Sequence, residues 1–157
     1  MDAAFNLARH LARDDDVAAD IVQDAYLRAL RLGAGFRGDN PRGWLLTIVR
    51  RTFYSQWQQS RTVEHESFDE ELHGSAGGAD GPEAALDRTI ARQRVYAALG
   101  RLPAPYREVL VLRELEELTY EEIARVVDVP VGTVMSRLSR ARQRLRAALS
   151  EAHSDHD

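Results

Sequence analysis

The chain reads as all-α, two small helical domains joined by a flexible acidic linker, and three observations predict this. Apolar residues recur at helical spacing through residues 2–61 and again through 86–149. Between them, residues 62–85 (TVEHESFDEELHGSAGGADGPEAA) lose that period and gain glycine and acid, the composition of a linker without fixed structure. Residues 119–149 read as two helices at a tight turn. With 157 residues, two small domains fit the pattern better than one of medium size. The expected layout is a first domain over 1–61, the linker over 62–85, a second domain over 86–149, and a disordered tail over 150–157.

The first helix spans residues 2–13, with Phe5, Ala8, Leu11 and Ala12 on its apolar face. The acidic run Asp14 to Asp16 interrupts it and supplies caps for the next. That helix, about Val17 to Leu32, is expected to bury Val17, Ile21, Ala25, Leu27 or the stem of Arg28, and Leu32, while Asp20, Gln23, Asp24 and Arg31 face water. Gly33, Gly35, Gly38 and Pro41 make GAGFRGDNPRG a loop. A third helix follows from about Pro41 to Gln59. Trp44, Leu45, Ile48, Val49 and Phe53 pack inward, and Thr47, Arg51, Tyr54, Gln58 and Arg61 share the outer face, with Arg50 and Trp57 at its border. Cations interleaved with aromatic rings suit single-stranded DNA, whose phosphates need charge and whose bases need stacking surfaces.

In the second domain, a helix from Leu86 to Leu99 carries Ile90, Val95, Ala98 and Leu99, and Gly100 ends it. Leu102, Pro103 and Pro105 start the next, whose Tyr106, Val109, Leu110, Leu112 and Arg113 lead through Leu115 and Leu118 to Thr119. Thr119 caps a further helix, with Glu122 reaching back as a capping box, and Tyr120, Ile123, Ala124 and Val127 form its apolar face. Asp128, Val129 and Pro130 turn the chain. Pro130 belongs in a first turn, so the last helix runs from about Val131 to Leu149 on a stripe of Val134, Leu138, Ala141, Leu145 and Ala148. Its opposite side carries Thr133, Ser136, Arg137, Arg140 and Arg144, with Met135, Ser139, Arg142 and Arg146 beside them. No acid stands between Pro130 and Ser150. Solvated helices normally intersperse glutamates for i,i+4 pairs, so this pattern points to a helix-turn-helix reader of duplex DNA.

The formal charge of −4 hides an uneven distribution. Residues 1–61 hold nine arginines and seven acids, 62–85 no arginine and seven acids, and 86–157 twelve arginines and eleven acids. Both ends can present basic faces while the middle stays acidic. There is no cysteine, which excludes a disulfide framework and cysteine-ligated zinc. His65 and His73 lie among carboxylates, but spacing in such a tract is weak evidence, and no metal and no cofactor are expected. Nothing approaches the apolar run that a membrane span needs, so a cytoplasmic protein without membrane insertion is expected.

GTVMSRLSRARQRL, preceded by TYEEIARVVDVPV and LPAPYREVLVLREL, resembles region 4 of the extracytoplasmic-function sigma factors, the small class of the bacterial sigma-70 family. DIVQDAYLRALR is similar to region 2.2, and the loop and helix from Phe36 to Tyr54 to regions 2.3 and 2.4. The resemblance implies core RNA polymerase and promoter DNA as partners, an anti-sigma factor as a regulator, and no small-molecule substrate. It implies that Asp20, Gln23 and Asp24 face polymerase. Phe36, Arg37, Gly38, Asp39 and Asn40 in the loop, and Arg50, Arg51 and Tyr54 on the helix, would hold the non-template strand of the −10 element. On the last helix, Met135, Ser136, Ser139 and Arg140 would face −35 base edges with Thr133 near the helix start, and Arg137, Arg142 and Arg144 would serve phosphates or packing. The linker would thread polymerase near the RNA path.

Several positions depart from the family pattern. Asp24 replaces the commoner glutamate, Arg51 stands where asparagine is usual, Asp128 where glycine is, and Met135 where a cation is. A methionine can make only an apolar contact, such as with a thymine methyl. The chain also begins later than the family's first helix, which predicts a less stable first domain or an earlier true start. An enzyme is disfavoured, since there is no Gly-rich phosphate loop, no HExxH and no nucleophile motif. A stand-alone helix-turn-helix regulator leaves residues 17–61 unexplained, and a sigma mimic that only binds an anti-sigma factor has no use for a basic reader helix.

Overall fold

The computed structural model describes residues 2–33, 38, 40–63 and 83–154. Its elements are α1 (Ala3–Ala12), α2 (Asp15–Leu32), α3 (Pro41–Val63), α4 (Glu83–Gly100), α5 (Ala104–Leu110), a π-helical turn (Val111–Leu115), α6 (Tyr120–Val127) and α7 (Val131–Ser154). The described residues contain no strand. Most of the expected linker, residues 64–82, lies outside them, as do His65 and His73. Helix α3 runs on to Val63 and α4 starts at Glu83, so each extends into the expected linker range.

Local chemistry sets the helix ends. The Asp2 carboxylate accepts the Ala4 N–H at 3.2 Å and that of Asp14 accepts the Val17 N–H at 3.0 Å, while Asp15 and Asp16 place negative charge against the positive end of α2. Asn40 accepts the Gly43 N–H at 3.0 Å ahead of Pro41. The capping box of α6 is complete, with Glu122 N–H on Thr119 at 3.1 Å and Thr119 N–H on Glu122 at 2.9 Å. Asp128 takes the left-handed conformation at φ 57° and turns α6 into α7. The last helix continues past the expected end at Leu149 to Ser154. Ser150 to Ser154 contain no helix breaker, and Glu151 pairs with Arg101 at 3.3 Å; residues 155–157 lie outside the described set.

Helix α1 sits at the centre. It packs on α2 and α3 of the first domain and on α4 and α5 of the second, while α3 packs on α6. Leu7, Leu11, Ile21, Leu46 and Val49 therefore join Val109, Leu112, Leu118, Ile123, Val134 and Leu138 in one continuous apolar core. The expected stripe of α7 holds, with Val134, Leu138, Ala141 and Ala148 buried and Leu145 half-buried. Helix α2 is corrected. Ile21 and Ala25 are buried as expected and Arg28 is half-buried, but Val17, Leu27 and Leu32 are exposed and Ala18 completes the stripe instead. Ile90, Val95 and Leu115 are exposed as well.

Candidate nucleic-acid interface

Burying Val134, Leu138 and Ala141 turns the polar side of α7 outward. Met135, Ser136, Ser139 and Arg140 are all exposed, and Thr133 and Arg137 are half-buried. Arg140 has no ion pair among the described residues. Ser136 donates to the Thr133 carbonyl at 3.0 Å. Two of the other cations, Arg142 and Arg144, are held within the molecule. Arg142 pairs with Glu114 at 2.9 Å, and the Arg144 guanidinium lies over the Tyr106 ring, 4.7 Å from its centroid. The base-facing set from the sequence is thus uncovered together, and Arg142 and Arg144 stand apart with partners of their own.

On α3 the outcome is different. Arg50 donates to both oxygens of Glu108, at 2.9 and 3.2 Å, and the Tyr54 hydroxyl reaches the same carboxylate at 3.4 Å. The Arg50 guanidinium stands 4.7 Å from the Tyr54 ring centroid. Asn40 donates to Glu122 at 2.7 Å. Of Arg50, Arg51 and Tyr54, Arg51 is the exposed one. Gly38 lines a small cleft with Asn40, Trp44, Thr47 and Glu122, and Phe36, Arg37 and Asp39 lie outside the described residues. Glu108 is fully buried. Burial pushes its carboxyl up, opposed by Arg50, Arg137 and Tyr54. Burial also raises the Tyr54 hydroxyl, with the Glu108 charge adding to it.

Asp20 and Gln23 are exposed on α2, whereas Asp24 is half-buried and meets Arg28 and the Gln56 amide, each at 3.4 Å. Leu27 and Leu30 continue this face, Leu30 with 79% of its surface open.

The Sigma-70 region 2 family matches residues 1–62, which hold α1 to α3. The Sigma-70, region 4 family matches residues 92–145, from the end of α4 into α7. RNA polymerase sigma factor YlaC of Bacillus subtilis is 30% identical over 96% of this chain and 86% of its own. The ECF RNA polymerase sigma-E factor of Escherichia coli is 36% identical over 79% of this chain and 69% of its own. This chain is an extracytoplasmic-function sigma factor. Its structure is similar to that of the sigma factor RpoE from Bartonella quintana, solved with the anti-sigma factor NepR. The TM-score is 0.79 and the identity 32%, covering 94% of this chain and 90% of that one. No helix among the described residues is long and apolar enough to cross a membrane.

Beside the polar faces of α3 and α7, the sigma factor holds a cationic node between its domains. Arg107 donates to the Leu102 carbonyl at 2.7 Å and to the Leu11 carbonyl at 3.1 Å, capping the C-terminal end of α1 from the other domain. Arg13, left-handed at φ 62°, stacks 3.5 Å from the Tyr96 ring centroid. Buried His10 lies tilted against the same ring. Burial first, then Arg9, Arg13 and Arg107, lowers the His10 pKa to about 4. Sequence reasoning missed Glu108, Glu116, Arg107 and His10. The one available signal was a charged Arg107–Glu108 pair inside the apolar run PYREVLVL, where a helical period puts Glu108 near the buried side.

Proposed function

We propose that this sigma factor gives core polymerase its promoter specificity by reading the two promoter elements with two different surfaces. Helix α7 reads −35 duplex through Ser136, Ser139 and Arg140, with Met135 offering an apolar contact, Thr133 near the helix start, and Arg137, Arg142 and Arg144 serving phosphates or packing. The loop with Phe36, Arg37, Gly38, Asp39 and Asn40, and Arg50, Arg51 and Tyr54 on α3, take the −10 strand. The observation that carries this reading is the joint exposure of Met135, Ser136, Ser139 and Arg140 on a helix whose other side is core. Arginine bonds a guanine edge bidentately, and serine bonds a base or a phosphate.

Asp20, Gln23 and Asp24 supply the polar part of a polymerase-docking face, and Leu27 and Leu30 add apolar area. The kinship with a sigma factor solved with its anti-sigma factor supports an anti-sigma factor as a further partner. Run-off transcription with purified core polymerase over a promoter library tests the function. Start-site-specific transcripts are expected; tight duplex binding without polymerase and with no transcripts would replace it by a repressor.

A further inference from the structure

Arg142 and Arg144 are two residues apart on α7 and so project from nearly opposite sides of the helix, with the exposed Ser139, Arg140 and Gln143 between them. Each is held by a side chain from an earlier element. Arg144 lies over the Tyr106 ring of α5. Arg142 donates its Nε and Nη2 to one oxygen of Glu114, at 3.3 and 2.9 Å. Glu114 stands on the π-helical turn, which the Glu116 N–H closes on the Val111 carbonyl at 3.1 Å; such turns recur at functional sites. Two residues on, Glu116 is buried against Arg42 and Asn6, so of these two acids Glu114 is the one at the border of α7.

An acid beside a DNA-reading helix repels the phosphates that the helix must approach. Nor does this one contribute much to folding, since 40% of the Arg142 side chain and 55% of that of Glu114 are open to water and exposed ion pairs stabilise little. The geometry suits another role. Arginine carries five N–H donors in a planar fork. Glu114 occupies the edge made by Nε and Nη2, and the terminal edge, Nη1 with the second Nη2 N–H, is left to bond a phosphate through two N–H groups. The hydrogen bond to Glu114, opposed by burial, holds the Arg142 guanidinium above the usual arginine range, and Tyr120 at the start of α6 adds to this.

We infer that Glu114 is a positioning residue for −35 recognition: it braces Arg142 so that the terminal edge of the guanidinium meets a phosphate along one wall of the major groove. An unbraced arginine gives up the rotamer freedom of a long stem at the moment of contact, whereas this one has given it up in the free protein. A recognition helix in the groove runs between two phosphate strands, and each border of α7 carries an arginine already held. Glu114 has this role only if α7 is the −35 reader.

The test uses the full chain on core polymerase, with a promoter duplex recovered from the run-off library and single-base variants of its −35 element, at several salt concentrations. Glu114→Ala removes a negative charge near DNA, so charge alone would tighten binding. Bracing has the opposite sign. Affinity should fall about fivefold, as expected for one side chain that must now be ordered on contact, and by the same factor on every −35 variant. The melting temperature should not move, and Glu114→Gln, which keeps an acceptor for Nε and Nη2, should recover part of the loss. Arg142→Ala should lower the salt slope by about one unit. In that background Glu114→Ala should change sign and raise affinity, because only its repulsion of phosphate remains to be removed.

Tighter or unchanged binding by Glu114→Ala in the chain that keeps Arg142 overturns the proposal. An equal loss with and without Arg142 overturns it too, and makes Glu114 a packing residue. If Arg142→Ala leaves affinity and salt slope as they were, there is no clamp for Glu114 to brace, while α7 stands as the reader provided that Arg140→Ala relaxes preference at one base pair. If Arg140→Ala and the substitutions of Ser136 and Ser139 all leave the base-preference profile unchanged, α7 is not the reader and the role of Glu114 falls with it.

Discussion

Asn40 and Glu122 each belong to a helix N-cap, and their side chains bond each other at 2.7 Å across 82 residues of sequence. Asn40 uses its oxygen for the start of α3 and its nitrogen for Glu122. Glu122 uses one oxygen for the start of α6 and the other for Asn40. The start of α3 and the start of α6 are therefore tied at one point. Glu122→Ala removes half a capping box as well as the tie, and should cost about 1 kcal/mol in thermal or urea unfolding. Glu122→Gln keeps one acceptor, enough for the Thr119 N–H, but sets an NH2 donor against the Asn40 NH2, so it should recover the cap and not the tie. Equal stability of Glu122→Ala and the unsubstituted protein would contradict this.

His10 makes the fold acid-sensitive. Its pKa falls from 6.5 unfolded to about 4 folded, so the neutral ring is favoured by folding. That contribution is complete above about pH 6.5 and is lost as pH falls towards 4, on the order of 3 kcal/mol in all. Melting curves across this range should show the loss, and His10→Phe, which keeps a ring against Tyr96, should flatten it. An unchanged slope in His10→Phe would assign the acid sensitivity elsewhere.

Gly100 is close to Arg13. An added Cβ would press into the Arg13 guanidinium, 2.8 Å from its Nε and closer to its other atoms, and that side chain is buried and stacked on Tyr96. Gly100→Ala should therefore destabilise by about 1–3 kcal/mol. Relief is expected when Arg13 is shortened in the same chain, which a double-mutant cycle would measure.

Arg140 and Arg144 should respond differently to truncation. Arg140→Ala is expected to cost about 1–3 kcal/mol of −35 binding and to relax preference at one base pair. Arg144→Ala should weaken all sequences alike, lower the salt slope by about one unit, and reduce stability through its lost stacking on Tyr106. Binding to single-base −35 variants at several salt concentrations separates the two. A uniform loss for Arg140→Ala would make it a phosphate clamp.

Asp20→Arg should weaken polymerase binding with unchanged circular dichroism. Asp24→Arg is less clean, because Asp24 also bonds Gln56 of α3, so its loss should lower stability as well. Undiminished affinity for core in both variants would remove α2 from the docking face.

The last two helices were legible in the sequence because their determinants are local. Thr119 and Glu122 are three residues apart, Asp128 can adopt φ > 0 by its own chemistry, and Val134, Leu138 and Ala141 repeat with the helix. The pairing of Glu108 with Arg50 was not legible, since its partners are 58 residues apart and a carboxylate normally reads as exposed. Nor was all of α2. Ile21 and Ala25 were placed inward correctly, but Val17, Leu27 and Leu32, though more apolar than Ala18, are exposed while Ala18 is buried. On α3 the sequence put Tyr54 on the outer face with Arg50 at its border, whereas both are half-buried against Glu108.

Arg107 makes the domains less interchangeable than their separate family matches suggest. The carbonyl at the end of α1 obtains its donor from α5, so a chimera that grafts a foreign second half onto residues 1–63 also replaces the cap of the first helix. A graft lacking an arginine at that place should leave α1 frayed while the rest of its half stays folded, visible as fast amide exchange confined to the last turn of α1. Promoter-swapping hybrids built from this protein would then lose performance through a helix end far from either DNA element.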